Sequence, residues 1–114
     1  MKINGSCYCG LIKISGIANS DNILACHCTD CQVFTGAPFR AVALCKESDF
    51  TISGTPKEFV KTGDSGNKRI QAFCNNCGTH LFASDLDKSN FNIRVGCLDQ
   101  RNDLIPQKHI FGSS

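Results

Sequence analysis

Apolar positions along this chain come in short runs separated by turn formers every roughly eight to twelve residues, a spacing typical of small strands. Leu11-Ile12-Lys13-Ile14-Ser15-Gly16 is rich in β-branched residues and closed by glycine, so it reads as a strand. Ile23-Leu24-Ala25 and residues 39–45, 50–54, 57–61, 68–73, 81–83 and 90–95 follow as further strands, the last with clean period-two alternation. Gly5-Ser6-Cys7-Tyr8-Cys9-Gly10 reads as a tight glycine-bounded turn. Residues 19–22 and 46–49 are turn clusters, and 63–67 is a hairpin turn. Thr29 or Asp30 caps a single helical turn through Phe34, ended by Gly36. No other segment supports a helix longer than two turns. Seven or eight short strands predict an all-β domain with at most short helical turns.

The length of 114 residues predicts a single domain, taken as residues 1–111 with 112–114 as a disordered tail. Net charge is +2 and the cations are scattered, which argues against a nucleic-acid or membrane surface. No run approaches the roughly 18 apolar residues of a membrane span.

Nine cysteines change the picture, because they must be cross-linked or held by metal. Disulfide scaffolds usually carry an even count behind a signal peptide. Here the count is odd, and Met1-Lys2-Ile3-Asn4-Gly5-Ser6 runs into Cys7 with no apolar leader. The short gaps between thiols suit chelation, so we expect bound metal and a reducing cytoplasm.

Three segments carry that chemistry. Cys26-His27-Cys28-Thr29-Asp30-Cys31 holds three thiols at C-x-C-x-x-C spacing, with zinc the first candidate. Cys74-Asn75-Asn76-Cys77-Gly78 is a C-x-x-C-G knuckle, whose glycine permits the positive-φ turn that aims backbone N–H groups at the sulfurs. Cys7-Tyr8-Cys9-Gly10 has the same trailing glycine. Cys7, Cys9, Cys74 and Cys77 together would make a closed structural zinc site, leaving Cys26, Cys28 and Cys31 as a three-thiolate site with an open position. A rival grouping joins Cys28 and Cys31 to Cys74 and Cys77 and strands Cys7, Cys9 and Cys26. The first leaves no chelating pair unused. Cys45 and Cys97 lie in apolar runs and read as core packing. His27 lies between two ligand candidates and should point away from their ion, toward a pocket or solvent. His80 reads as structural, and His109, after Pro106, as a pocket residue.

Taken together, these blocks resemble the glutathione-dependent formaldehyde-activating enzyme (GFA) family, which includes centromere protein V. Gly5-Ser6-Cys7-Tyr8-Cys9-Gly10 is similar to its G-x-C-x-C-G opening. Cys26-His27-Cys28-Thr29-Asp30-Cys31 with Thr35-Gly36-Ala37 is similar to its C-H-C-x-x-C…T-G-A segment. Phe73-Cys74-Asn75-Asn76-Cys77-Gly78-Thr79 with Leu81 is similar to F-C-x-x-C-G-T-x-L, and Gly96-Cys97-Leu98-Asp99 with Pro106, His109 and Ile110 to the closing G-x-L-D…P-x-x-H-I. Gln32-Val33 stand where the family often has a basic pair.

The resemblance implies a zinc-stapled β-tent of several small antiparallel sheets. It implies two zinc ions per chain: a structural one on Cys7, Cys9, Cys74 and Cys77, and a catalytic-type one on Cys26, Cys28 and Cys31. The implied activity is carbon–sulfur lyase chemistry on a small-molecule thiol such as glutathione and an aldehyde such as formaldehyde, with His27 and His109 as substrate-binding candidates. Two alternatives stay open: a zinc-binding interaction module without turnover, and a thiol redox enzyme of the methionine-R-sulfoxide reductase type built on Cys97.

Overall fold

The structure, a computed structural model, describes residues 1–63 and 65–110. Its strands in chain order are β1 (Lys2–Ser6), β2 (Lys13–Ile17), β3 (Ile23–Cys26), β4 (Arg40–Lys46), β5 (Phe50–Ser53), β6 (Lys57–Thr62), β7 (Lys68–Phe73), β8 (His80–Asp85), β9 (Asn90–Arg94) and β10 (Lys108–Ile110). One helix, α1 (Thr29–Thr35), interrupts them. The strands make a three-stranded sheet, β1-β2-β5, and a seven-stranded sheet, β10-β3-β4-β9-β8-β7-β6. The all-β expectation holds, and no helix is long and apolar enough to cross a membrane.

Burial follows the pattern of each run. In β9, Phe91 and Ile93 are buried between less buried Asn90, Asn92 and Arg94, as a half-covered strand requires. In β8, four consecutive residues, Leu81 to Ser84, are buried, because this inner strand is covered on both faces. Phe59 and Val60 of β6 stay exposed at the sheet edge.

One hydrophobic cluster joins the two sheets. Ile3, Ile12 and Ile14 of the smaller sheet and its turn meet Ile23, Leu81, Ile93 and Leu98 of the larger sheet and its loops. Phe50 of β5 lies 4.3 Å from Phe91 and 5.6 Å from Phe82 between ring centroids. Such ring pairs contribute about 0.5–1.5 kcal/mol each beyond their buried area. Gly5 permits the closest crossing. A Cβ there would stand 2.0 Å from the Cys97 carbonyl oxygen, so β1 passes over the 95–98 turn only with glycine.

The structure adds two strands to the sequence reading. β1 was not expected, because it has one inward apolar residue, Ile3, in a polar stretch. β10 is fully exposed and carries no core signal, yet it pairs with β3, the one parallel pairing among the described strands. The first expected strand begins at Lys13, since Leu11 and Ile12 belong to the turn after Gly10. The hairpin turn at 63–67 closes through the Gly63 amide donating to Asn67 O at 2.8 Å; its Asp64 lies outside the described residues, as does the expected tail at 112–114.

Candidate metal centres and the cleft beside them

Cys7, Cys9, Cys74 and Cys77 come together with all sulfurs within 4.8 Å of one another. Two similar turns deliver them. The Gly10 amide donates to Cys7 O at 3.1 Å and the Gly78 amide to Cys74 O at 2.9 Å. Both glycines take positive φ, +83° and +78°. Backbone amides point at the inner sulfurs, Ile12 N–H at Cys7 Sγ (3.3 Å) and Asn76 N–H at Cys74 Sγ (3.4 Å). The Tyr8 amide donates to Thr79 Oγ1 at 3.0 Å and so ties one turn to the other.

The sulfur spacing suits a tetrahedral ion. Thiolates at about 2.3 Å from zinc stand roughly 3.8 Å apart. Here Cys7 and Cys9 are 3.5 Å apart, and Cys9 and Cys74 are 3.7 Å apart. The thiols are also electrically unequal. The Thr79 hydroxyl and amide, helped by Cys9, pull Cys77 down to about 5. Burial opposes ionisation of Cys7, but the Ile12 amide and neighbouring thiols outweigh it and lower its pKa. A cation arriving at this set would complete the ionisation of all four thiols.

Cys26, Cys28 and Cys31 form the second group, again within 4.8 Å. Cys26 ends β3 and Cys31 lies buried in the first turn of α1. Cys28 is the N-cap, its sulfur accepting from the Cys31 amide at 3.4 Å. The expected cap at Thr29 or Asp30 is thereby displaced by one or two residues, because the thiol serves the capping function itself. Gly36 ends the helix in the left-handed region at φ 64°, as expected. Cys26 and Cys28 sulfurs are 3.4 Å apart. Burial, followed by the neighbouring Cys26 thiol, pushes Cys31 up to about 12, while Arg40 pulls it the other way.

Among the described residues no fourth His, Cys, Asp or Glu joins this group, and the rival grouping of Cys28 and Cys31 with Cys74 and Cys77 does not assemble. The cluster opens instead onto a cleft of about 310 Å³, lined also by Arg40, Lys61 and Arg69.

His27 and His109 meet each other. Their Nε2 and Nδ1 atoms are 2.8 Å apart, with Phe39 5.3 Å from the His27 ring. Neither is among the residues lining the cleft. His80 is held by Arg94, whose Nη2 donates to His80 Nδ1 at 3.0 Å. Cys45 is buried, its thiol donating toward Ile17 O at 3.2 Å, and burial raises its pKa. Burial likewise pushes Cys97 up to about 11, which makes it a poor nucleophile at neutral pH.

Sequence reasoning missed the buried cations. Arg40 reads as one of several scattered surface charges and Arg94 draws no notice, yet Arg40 is only 7% exposed and Arg94 is half-buried. The available signal was their place in apolar runs, Phe39-Arg40-Ala41-Val42 and Ile93-Arg94-Val95.

A mostly β chain whose turns gather thiols into one four-membered and one three-membered group defines a class of small proteins able to hold two metal ions. The model of the glutathione-dependent formaldehyde-activating enzyme family matches residues 2–114, and the chain belongs to that family. A curated relative from Schizosaccharomyces pombe, described as an uncharacterized lyase, is 30% identical over 78 residues, or 68% of this chain. That match spans about half, 54%, of the relative's length. A crystal structure of a Rhodobacter sphaeroides protein has the same fold, with a TM-score of 0.70 over 93% of this chain and 98% of that one, at 18% identity.

Proposed function

We propose that the protein is a zinc-dependent carbon–sulfur lyase that forms and breaks thiol–aldehyde adducts of the glutathione–formaldehyde kind. The observation that carries this reading is the three-thiol cluster with no fourth ligand among the described residues, open to a cleft. Family membership and a lyase-named relative support it. A zinc ion on Cys26, Cys28 and Cys31 would leave one position for a substrate thiol and favour its ionised form near neutral pH.

The chain's own residues do the rest. The Cys31 amide holds Cys28 in orientation. Arg40, which lines the cleft beside the three thiols, would offset part of their negative charge once a bound cation has ionised them. The cleft of about 310 Å³ beside the cluster is where thiol and aldehyde would meet, and holding them there would turn a bimolecular encounter into a local one. In the forward direction a sulfur lone pair forms the C–S bond, the carbonyl π pair moves to oxygen, and that oxygen takes a proton. In reverse the hydroxyl loses its proton and the C–S bond breaks. Cys7, Cys9, Cys74 and Cys77 would hold a second, structural zinc, which brings the complement to two per chain. Its spacing and amide shell suit that role.

Exchange NMR on formaldehyde and thiol with zinc-loaded protein tests the reading. We expect adduct exchange to quicken at least tenfold over the buffer rate, a loss of about 1.4 kcal/mol from the barrier. Cys26→Ser should return it to the buffer rate. No acceleration with glutathione, cysteine or 2-mercaptoethanol would overturn the proposal.

A further inference from the structure

Thr79 stands between the two turns that carry the four-thiol group. It follows Gly78, and its carbonyl oxygen accepts from the Cys74 amide at 2.9 Å, which closes the second turn on itself. Its side chain reaches further. Thr79 Oγ1 accepts from the Tyr8 amide of the first turn at 3.0 Å and lies 3.2 Å from Cys77 Sγ. Tyr8 is 93% exposed, so what it contributes here is its backbone.

These two contacts fix where the hydroxyl hydrogen points. A threonine hydroxyl has one hydrogen to give and two lone pairs to offer. The Tyr8 N–H takes a lone pair, and among the described residues the other partner of this oxygen is Cys77 Sγ. A metal-bound thiolate has no hydrogen to give, so at a loaded site the hydroxyl is the donor. Tyr8 N–H, Thr79 O–H and Cys77 Sγ then form one chain from turn to turn, each bond polarising the next. The backbone amides of Thr79 and Cys9 also serve this sulfur, so donors from both turns converge on it. Cys77 is where such support counts. Cys7 and Cys74 are buried, whereas Cys77 is an exposed ligand that an electrophile reaches directly.

We propose that Thr79 is a positioning residue of the four-thiol site: the Tyr8 amide turns its hydroxyl onto Cys77, and that hydrogen bond holds the exposed sulfur on its metal and shields it from electrophiles. A sulfur whose electron density is drawn into a hydrogen bond is a weaker nucleophile. Partners of this kind, one step out from the ligands, commonly change metal affinity by about 10–100-fold when removed. Thr79 would serve any metal on these four thiols, whether or not the three-thiol group turns over a substrate.

Three forms of the zinc-loaded protein test this role: the parent, Thr79→Val, which has nearly the same shape without the hydroxyl, and Thr79→Ser, which keeps it. Each is treated with iodoacetamide, whose carbon takes a sulfur lone pair as iodide leaves. Initial rates at Cys77 and Cys9, both exposed, are read by peptide mass spectrometry. In Thr79→Val the Cys77 rate should rise about tenfold while the Cys9 rate changes less than about twofold. Thr79→Ser should stay within about twofold of the parent at both thiols. Transfer of one zinc equivalent to a colorimetric chelator should quicken by about tenfold in the valine variant alone. Equal Cys77 rates in parent and valine variant, a serine variant as reactive as the valine one, or equal acceleration at both thiols would overturn the assignment. A second measurement needs no variant and covers the case in which the valine form does not fold. With ¹¹³Cd in place of zinc, the Thr79 hydroxyl proton should show a through-bond correlation to the metal across the O–H···S contact. A hydroxyl not held by the sulfur exchanges with water and shows none, which would overturn it equally.

Discussion

His80 shows how one residue answers to three elements at once. Its ring stacks on Phe73 at 5.7 Å, lies 6.1 Å from Phe34 of α1, and accepts from Arg94 of β9. Burial first, then the charges of Arg94 and Arg40, hold its pKa below the ordinary imidazole value. Folding therefore favours the neutral ring. The unfolded chain binds a proton at higher pH than the folded chain does, so the contribution of His80 is complete above about pH 6.5 and is lost as the pH falls below it. Denaturant midpoints between pH 7 and pH 5 should fall less steeply for His80→Gln than for the parent. The glutamine keeps an acceptor for Arg94 but has no proton to gain. Protonation of the thiols is common to both proteins and cancels in the comparison. Equal slopes would show that the buried ring is not what resists protonation. At this scale the sequence was legible where chemistry is local. Thiols one or two residues apart and followed by glycine announce chelation by themselves. The burial of Arg40 and Arg94 is a tertiary fact, visible only once β4 and β9 are laid side by side.

At the scale of elements, β10 tests what holds a strand that buries nothing. Lys108, His109 and Ile110 are all exposed, and apolar burial gives them no reason to stay. Polar contacts hold the two ends. At the start, Gln107 donates its backbone amide to Ile23 O at 3.0 Å, its side-chain amide donates to Ser20 O, and its Oε1 accepts from the Ile23 amide. At the far end the His27 amide donates to Ile110 O at 2.8 Å and the two imidazoles meet. His109→Ala should release the far end only. In hydrogen-exchange NMR the His27 amide is expected to exchange about tenfold faster while the Ile23 amide keeps its protection. Loss of protection at both, or at neither, would show that the imidazole contact does not fasten that end. The same strand marks the limit of reading elements from pattern. Strands with an inward face, such as β9, announce themselves by alternation, and doubly covered strands such as β8 by continuous apolar runs. β1 and β10 exist because neighbouring strands offer backbone partners, and no side-chain pattern records that.

For the whole molecule, the two thiol groups stand at structurally different places. The four-thiol group lies where the β1–β2 turn of the smaller sheet meets the β7–β8 loop of the larger one, so a metal there would staple sheet to sheet. The three-thiol group draws its members from one stretch, the end of β3 and the start of α1, so a metal there would close only a short loop. Loop-closure arguments give the first far more leverage on the unfolded chain than the second. The core joining the two sheets is small, and Cys7 and Cys74 belong to it. Cys77→Ser spares those core thiols and removes only an exposed ligand. It should lose one zinc equivalent and lower Tm by at least about 10 °C, several kcal/mol for a domain of this size. Cys26→Ser should lose the other equivalent with a Tm change under about 4 °C, while abolishing adduct exchange. Metal analysis and thermal scans on the two variants separate these outcomes. If both removed the same equivalent, or if Cys26→Ser melted the fold as Cys77→Ser does, one metal rather than two would be serving the chain. The division of labour between a staple and an open site would then be wrong.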